Sequence, residues 1–195
     1  AIAPERAVDP AVRNRIFDFR RAIVRTPGAS VVSGLRAGGG ADPALGGVLA
    51  EHAAYVAALR LAGLAVRELP ALEAFPDAIF VEDPALVFAE GAVLLRPGAP
   101  SRIAEGAHLM PALEAEFPLV LEQTAGFADG GDMLAMPGHV FVGLSARTDR
   151  EGAEQVLSLL DRLGRRGGIV ETPDSVLHLK TACSLIDEET ILATA

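Results

Sequence analysis

Apolar residues recur with a helical period in some segments of this chain and in short runs in others, which predicts alternating helices and strands. The helical period marks three segments, over about 44–61, 103–117 and 149–163. Short runs predict single strands at 20–26, 64–69, 119–121 and 168–171. Paired runs joined by turn residues predict hairpins over 85–96 and 133–143, and a third hairpin that turns near 187–189.

These elements repeat in the order helix, strand, polar loop and hairpin. Asp83, Asp129 and His178 lie at the hairpin mouths, spaced 46 and 49 residues apart, a period typical of repeat architectures. Equivalent positions in a repeat meet at one end of the assembly, so we expect these three side chains to converge on a common axis. Three modules do not close a ring, and we expect a further C-terminal module to be missing from these residues.

Length and composition favour one soluble α/β domain over 1–195, incomplete at its C-terminus, with a loosely packed lead-in at 1–19. The net charge of −9 and the lack of a basic face argue against nucleic acid and favour a small cationic partner. No apolar run approaches the roughly 20 residues of a membrane span, and no secretory signal precedes the first strand. A cytoplasmic location is expected. The glycines at 38–40 predict a mobile flap.

The segment 127–148, FADGGDMLAMPGHVFVGLSART, concentrates the candidate chemistry. Asp129 and Asp132 flank two glycines, which let a backbone approach a ligand closely. A metal site is not expected, because hard-cation loops bring more oxygen donors at short spacing. Of the two acids, Asp129 is the candidate for contacting substrate. Asp132 is expected to hold the turn.

The remaining candidates each have a structural alternative. His178 can serve as a general acid or base, or can be a hydrogen-bonded core histidine. Asp83 can face a ligand or lie at a solvated strand end, and Arg102 and Arg147 can clamp a carboxylate or lie on the surface. The single cysteine, Cys183, is interpreted as a buried core thiol: in one extended strand it would lie roughly 16 Å from His178, at about 3.3 Å per residue.

Five strings in the chain resemble the dimethylarginine dimethylaminohydrolases, of the guanidino-group-modifying superfamily that includes arginine deiminase and the amidinotransferases. These strings are RAIVRTPG, FPDAIFVEDP, LLRPGAPSR, DGGDMLAMPGHVFVGLSARTDREGAE and LHLKTACS. The resemblance implies a pentein-type five-bladed α/β propeller with a central acidic pocket. It also implies hydrolysis of N-omega-methylated arginine to citrulline and dimethylamine through a cysteine thiouronium intermediate, with no cofactor.

Residue by residue, the resemblance makes His178 the catalytic histidine and Asp129 the acid that holds the guanidinium. Asp83 matches a second guanidinium carboxylate, with Glu82 beside it.

At the amino-acid end of the substrate, Asp77 matches a binder of the amino group, and Arg102 and Arg147 match the pair that grips the carboxylate. Leu35 matches a flap residue whose backbone meets the substrate. A homodimer is one assembly to be tested.

The nucleophilic cysteine is the one departure from the family pattern. The resemblance places it near the C-terminus, in a module that these residues do not contain, and Cys183 aligns with a different position. We expect that segment to be missing from the sequence at hand. The alternatives are a non-catalytic protein that binds arginine analogues, and an arginine deiminase.

Overall fold

The computed structural model describes residues 18–36, 38 and 40–194 of the chain. The proposed lead-in therefore lies outside the described residues except for its last two positions, and residue 39 of the proposed flap lies outside them too. Within the described residues, no helix is long and apolar enough to cross a membrane.

The described strands form four small sheets that follow one another along the chain. In the first sheet, β1 (Arg21–Arg25) pairs in parallel with β2 (Ala65–Leu69), and helix α1 (Leu45–Leu61) crosses between them. The last sheet is the antiparallel pair of β9 (Cys183–Leu185) and β10 (Ile191–Ala193).

The two middle sheets have the same design, a hairpin plus one parallel strand. The first contains β3 (Ala85–Phe88), β4 (Gly91–Leu94) and β5 (Val120–Glu122), with helix α2 (Met110–Glu116) before β5. The second contains β6 (Met133–Met136), β7 (His139–Leu144) and β8 (Arg166–Glu171), with helix α3 (Arg150–Arg162) before β8. The predicted alternation of elements is confirmed.

The spatial grouping of these elements differs from the predicted unit. In both middle sheets, the strand that follows the helix pairs with the hairpin that precedes the helix, so the unit is hairpin, helix and strand. A parallel pair needs a long crossover connection, and the helix supplies it. The larger core cluster packs both middle sheets and α3 together; its residues include Leu86, Val93, Leu121, Met133, Val140, Val142, Val156 and Leu160.

Two predicted elements are wrong in detail. The helix expected over 103–117 begins only at Met110, after a 3-10 turn over Glu105–His108, because Pro111 has no N–H to continue a helix from the preceding turn. The strand expected from His178 to Cys183 is interrupted by a one-turn helix, α4 (Leu179–Ala182). The Cys183 thiol donates to the Leu179 carbonyl oxygen at 3.3 Å, so the extended geometry is wrong, and Cys183 is only half-buried.

Candidate active site

Asp83, Asp129 and His178 meet at one place although they belong to three successive modules. One ligand atom from each side chain lies within 4.8 Å of the others. Asp83 lies two residues before β3, Asp129 opens the turn before β6, and His178 immediately precedes α4. The predicted convergence of the three side chains is confirmed.

Glycines make this close approach possible. The Gly130 N–H donates to the Asp83 carbonyl oxygen at 2.9 Å, and a Cβ on Gly130 would lie 2.0 Å from the Glu82 carbonyl oxygen. A Cβ on Gly131 would lie 2.7 Å from carbon atoms of the His178 ring. The two glycines therefore let the turn at 130–132 lie directly against both neighbouring segments.

Asp129 is buried, with 2% of its surface exposed, and it accepts a hydrogen bond from the Gly98 N–H at 2.8 Å. Its second oxygen lies 3.9 Å from Nε2 of His178. Burial raises the pKa of Asp129 to about 6; the Gly98 hydrogen bond opposes this shift and the charge of Asp83 adds to it. A carboxylate with few donors is suited to receive a cation.

The side chain of Asp132 makes different contacts from those predicted. Its carboxylate is fully buried and accepts from Ser145 Oγ at 2.7 Å, Thr148 Oγ1 at 2.6 Å and the Leu179 N–H at 2.8 Å. Asp132 therefore joins three segments, and the expectation that it holds its own turn is wrong. Its partners lie 13 to 47 residues away, so no local sequence signal identified this role.

His178 lies between the two buried acids of the 127–148 segment, with 14% of its side chain exposed. Its Nδ1 is 3.2 Å from Oδ2 of Asp132, and its Nε2 faces Asp129. Burial alone would lower the pKa of His178, but the hydrogen bond to Asp132 and the charges of Asp132, Asp83 and Asp129 raise it above its usual value. For Asp132, burial favours a higher pKa, but the hydrogen bonds from His178, Thr148, Ser145 and Leu179 lower it.

The two predicted carboxylate-binding arginines occupy different environments. Arg102 is buried and donates to both Glu105 oxygens at 2.8 Å, to Asp83 at 2.5 Å and to the Phe80 carbonyl oxygen at 3.2 Å. A grip on a substrate carboxylate would require exchanging some of these bonds.

Arg147 is half-buried, and in the part of the chain that the structure describes its guanidinium has no hydrogen-bond acceptor. Of the two arginines, Arg147 is thus the one whose guanidinium could bind a ligand without breaking a hydrogen bond.

The other candidates are spread along the same loops. The Leu35 N–H donates to Oδ1 of the buried Asp77 at 2.9 Å, so these two predicted binding residues are in contact. Glu82 is exposed and forms a salt bridge with Lys180 at 2.7 Å. Asp83, Asp129 and His178 also carry atoms of the kind that bind metal ions. Two carboxylates and an imidazole equally suit a guanidinium, which they can meet through charge-assisted hydrogen bonds.

Comparison with known proteins identifies the family of this fold and site. The arginine deiminase family model matches residues 70–195. The N(G),N(G)-dimethylarginine dimethylaminohydrolase of Pseudomonas aeruginosa is 36% identical over 177 residues, which are 90% of this chain and 69% of that protein. The chain belongs to the dimethylarginine dimethylaminohydrolase family. The enzyme of the same name from Streptomyces coelicolor is 35% identical over 89% of this chain and 67% of its own length.

Solved structures give the same family and fold. A mutant of the Pseudomonas aeruginosa dimethylarginine dimethylaminohydrolase, complexed with citrulline, matches with a TM-score of 0.85 at 35% identity over 90% of this chain and 69% of that one. The N-terminal domain of a cyanobacterial arginine dihydrolase matches with a TM-score of 0.76 at 17% identity, over 88% of this chain and 65% of that one, and shows the shared fold. The predicted α/β fold of the pentein type is confirmed.

Proposed function

We propose that the protein carrying this chain hydrolyses N-omega-methylated arginine to citrulline and a methylated amine, which is dimethylamine when the substrate is dimethylarginine. The observation that carries the proposal is the convergence of Asp83, Asp129 and His178, with ligand atoms within 4.8 Å of one another. Membership of the family and the relative solved with citrulline support it. The net charge of −9 favours approach of the cationic substrate.

In the substrate complex, Asp83 and Asp129 hold the guanidinium. Arg102 keeps Asp83 in place through its 2.5 Å hydrogen bond, and the Gly98 N–H does the same for Asp129. At the other end of the substrate, Arg147 binds the carboxylate. Asp77 binds the amino group beside the Leu35 backbone. Fixing both ends aligns the guanidinium carbon for attack.

His178 transfers the protons of the reaction. A cysteine thiolate forms a bond to the guanidinium carbon, and the C–N bond to dimethylamine breaks as protonated His178 gives its Nε2 proton to the leaving nitrogen. Neutral His178 then takes a proton from water, whose oxygen bonds to the same carbon. The C–S bond breaks, the thiolate is restored, and the remaining hydroxyl proton passes to solvent as citrulline leaves.

Cys183 is a poor source of that thiolate. Burial raises its pKa, and its thiol donates to the Leu179 carbonyl oxygen. The resemblance places the nucleophile in a C-terminal module, so the residues described here supply the binding and proton-transfer groups of the mechanism.

The test is citrulline formation from dimethylarginine by the protein carrying this chain. His178→Ala should lower kcat by at least about 100-fold, since general acid–base groups contribute this much or more. The matched control is His108→Ala, because His108 is exposed; its rate should stay within about 2-fold of the unmutated protein, as for surface changes. A normal rate in the His178 variant would falsify the assignment.

Binding separates this function from the alternative of a non-catalytic binder. Calorimetry should show dimethylarginine binding that Asp83→Asn weakens and the exposed Asp161→Asn leaves unchanged. Binding without any turnover in the protein carrying this chain would favour the alternative. Comparison of dimethylarginine with arginine tests the arginine deiminase alternative in the same assay.

We also propose a cytoplasmic location, a single domain for the described modules and a homodimeric assembly. A site built from three successive modules supports the single domain. Residues 1–195 contain one cysteine and therefore no disulfide between them, which fits a reducing compartment. Cell fractionation, limited proteolysis and light scattering test these three proposals in turn.

A further inference from the structure

We propose that Asp132 is a positioning residue for both ends of the site: it fixes the tautomer and orientation of His178, and through Ser145 it holds the loop that carries Arg147. The inference rests on the proposed function. It concerns a residue that need not touch the substrate, because its carboxylate is fully buried behind His178.

Four groups from other segments surround the Asp132 carboxylate. Ser145 Oγ, Thr148 Oγ1 and the Leu179 N–H donate to it at 2.7, 2.6 and 2.8 Å, and Nδ1 of His178 lies at 3.2 Å. An ionised carboxylate is acceptor-only, with room for about four such hydrogen bonds. Every group that faces Asp132 must therefore present a proton, and this includes Nδ1 of His178.

Asp132 also determines which nitrogen of His178 can exchange a proton. Because Asp132 favours the ring form with a proton on Nδ1, the proton transferred in the reaction is the one on Nε2. Nε2 faces Asp129 at 3.9 Å. The Leu179 N–H bond fixes the backbone immediately after the histidine, so one carboxylate holds both the ring and the segment that carries it. An acid group that orients a catalytic imidazole in this way acts through the histidine.

Ser145 links Asp132 to the loop that carries Arg147. Ser145 Oγ donates to Asp132 and accepts from the Arg147 N–H at 3.0 Å and the Thr148 N–H at 3.3 Å. Thr148 Oγ1 in turn donates to Asp132 and accepts from the Asp129 N–H at 3.1 Å. Through Asp132, the two hydroxyls thus connect His178 with the backbone of Asp129. They also connect His178 with the loop that carries Arg147.

The direct test is the tautomer of His178 in the unmutated protein. Long-range ¹H–¹⁵N spectra of histidine-labelled protein, at a pH where the ring is neutral, distinguish Nδ1–H from Nε2–H. With four histidines in the sequence, His178→Ala identifies the signal. We expect Nδ1–H, and a neutral ring with the proton on Nε2 would overturn the proposal.

Asp132→Asn reverses the hydrogen bond at nearly constant shape. The amide can donate to Nδ1, which would leave the neutral ring protonated on Nε2, unable to take a proton from water there. We expect the tautomer to switch and kcat to fall by roughly 10³- to 10⁴-fold, by analogy with tautomer-reversing substitutions in catalytic triads. KM should rise about 10-fold as well, because the amide nitrogen that donates to Nδ1 takes the place of Oδ2, the atom that accepts from Ser145 and Thr148. The exposed Asp161→Asn is the matched control.

Ser145→Ala tests the link to Arg147. It should raise KM for dimethylarginine about 10-fold, but change kcat/KM for a methylated guanidine without a carboxylate by less than about 2-fold. Equal losses on both compounds would overturn the link. If the tautomer is as expected but the unmutated protein makes no citrulline, the proposed function fails and the positioning role of Asp132 stands.

Discussion

Asp129 and Asp132 lie three residues apart in one turn, both almost fully buried, and their pKa values move in opposite directions. Burial disfavours the charge of each. Around Asp132, four groups face the carboxylate and more than compensate for burial, whereas the side chain of Asp129 receives one backbone hydrogen bond and faces the charge of Asp83. The donors supplied by other segments therefore decide what each acid does.

The same difference separates a structural acid from a binding acid. Asp132 has its charge balanced within the folded protein, so its contribution is to hold other groups in place. For Asp129, the Gly98 hydrogen bond and the charges of His178 and Arg102 do not outweigh burial, which leaves this carboxylate suited to a guanidinium. Such poorly compensated charges are typical of functional sites and cost stability.

Asp132→Ala is the strongest challenge to this comparison. It leaves the Ser145 and Thr148 hydroxyls, the Leu179 N–H and the His178 ring without their acceptor. Removing one partner from a buried charged network costs about 3–5 kcal/mol. Urea unfolding should show a loss of this size, and a loss below about 1 kcal/mol would mean that these hydrogen bonds contribute little.

Asp129→Asn should change the free energy of unfolding in the opposite direction. With a folded pKa of about 6, above the ordinary value near 3.9, the folded protein binds the Asp129 proton more tightly than the unfolded chain. Stability therefore falls as pH rises from about 4 to 6 and stays lowered above.

The Asn variant cannot ionise, so it should be more stable than the unmutated protein by roughly 3 kcal/mol near pH 8, and by little near pH 4. It should also bind dimethylarginine at least about 10-fold more weakly, since it lacks the charge. Urea unfolding at both pH values and calorimetry check these outcomes. Equal effects at the two pH values would show that the charge of Asp129 carries no such cost.

Gly131→Ala should displace the His178 ring and leave both acids, Asp129 and Asp132, in the chain. The added Cβ would lie 2.7 Å from the ring carbons, so the ring must shift. Overpacking of this kind costs about 1–2 kcal/mol. We expect that loss in thermal unfolding and a fall in kcat of about 10- to 100-fold, because small misplacements of a reacting group are expensive in rate. An unchanged kcat would mean that the ring tolerates displacement.

Glu82→Gln should have the smallest effect. Its carboxylate is exposed, with 64% of the side chain accessible, and pairs with Lys180. Exposed pairs contribute about 0–1 kcal/mol, and we expect less than about 0.5 kcal/mol in stability. Dimethylarginine affinity should change by less than about 3-fold in calorimetry, corresponding to under about 0.7 kcal/mol. A larger change in affinity would restore the predicted direct contact of Glu82 with the substrate.

Element order and the meeting of Asp83, Asp129 and His178 could be predicted from the sequence because both follow from local periodicity and from repetition. The hairpins were predicted correctly, but no partner was predicted for the strands that follow the helices, since their parallel pairing joins segments distant in sequence. Pro111 is a local signal for the start of the helix, and the prediction of a helix over 103–117 did not take it into account. The role of Asp132 had no such signal, because its partners come from segments that only folding brings beside it.

The sequence by itself determined the sites of polar residues at the hairpin mouths, the glycines that permit close approach and the family to which the chain belongs. Tertiary structure alone decided that hydrogen bonds balance the buried charge of Asp132, and that the charge of Asp129 remains available to bind a cation. The physical reason is that burial acts on both acids alike, while hydrogen-bond donors reach them from segments distant in sequence and are distributed unequally.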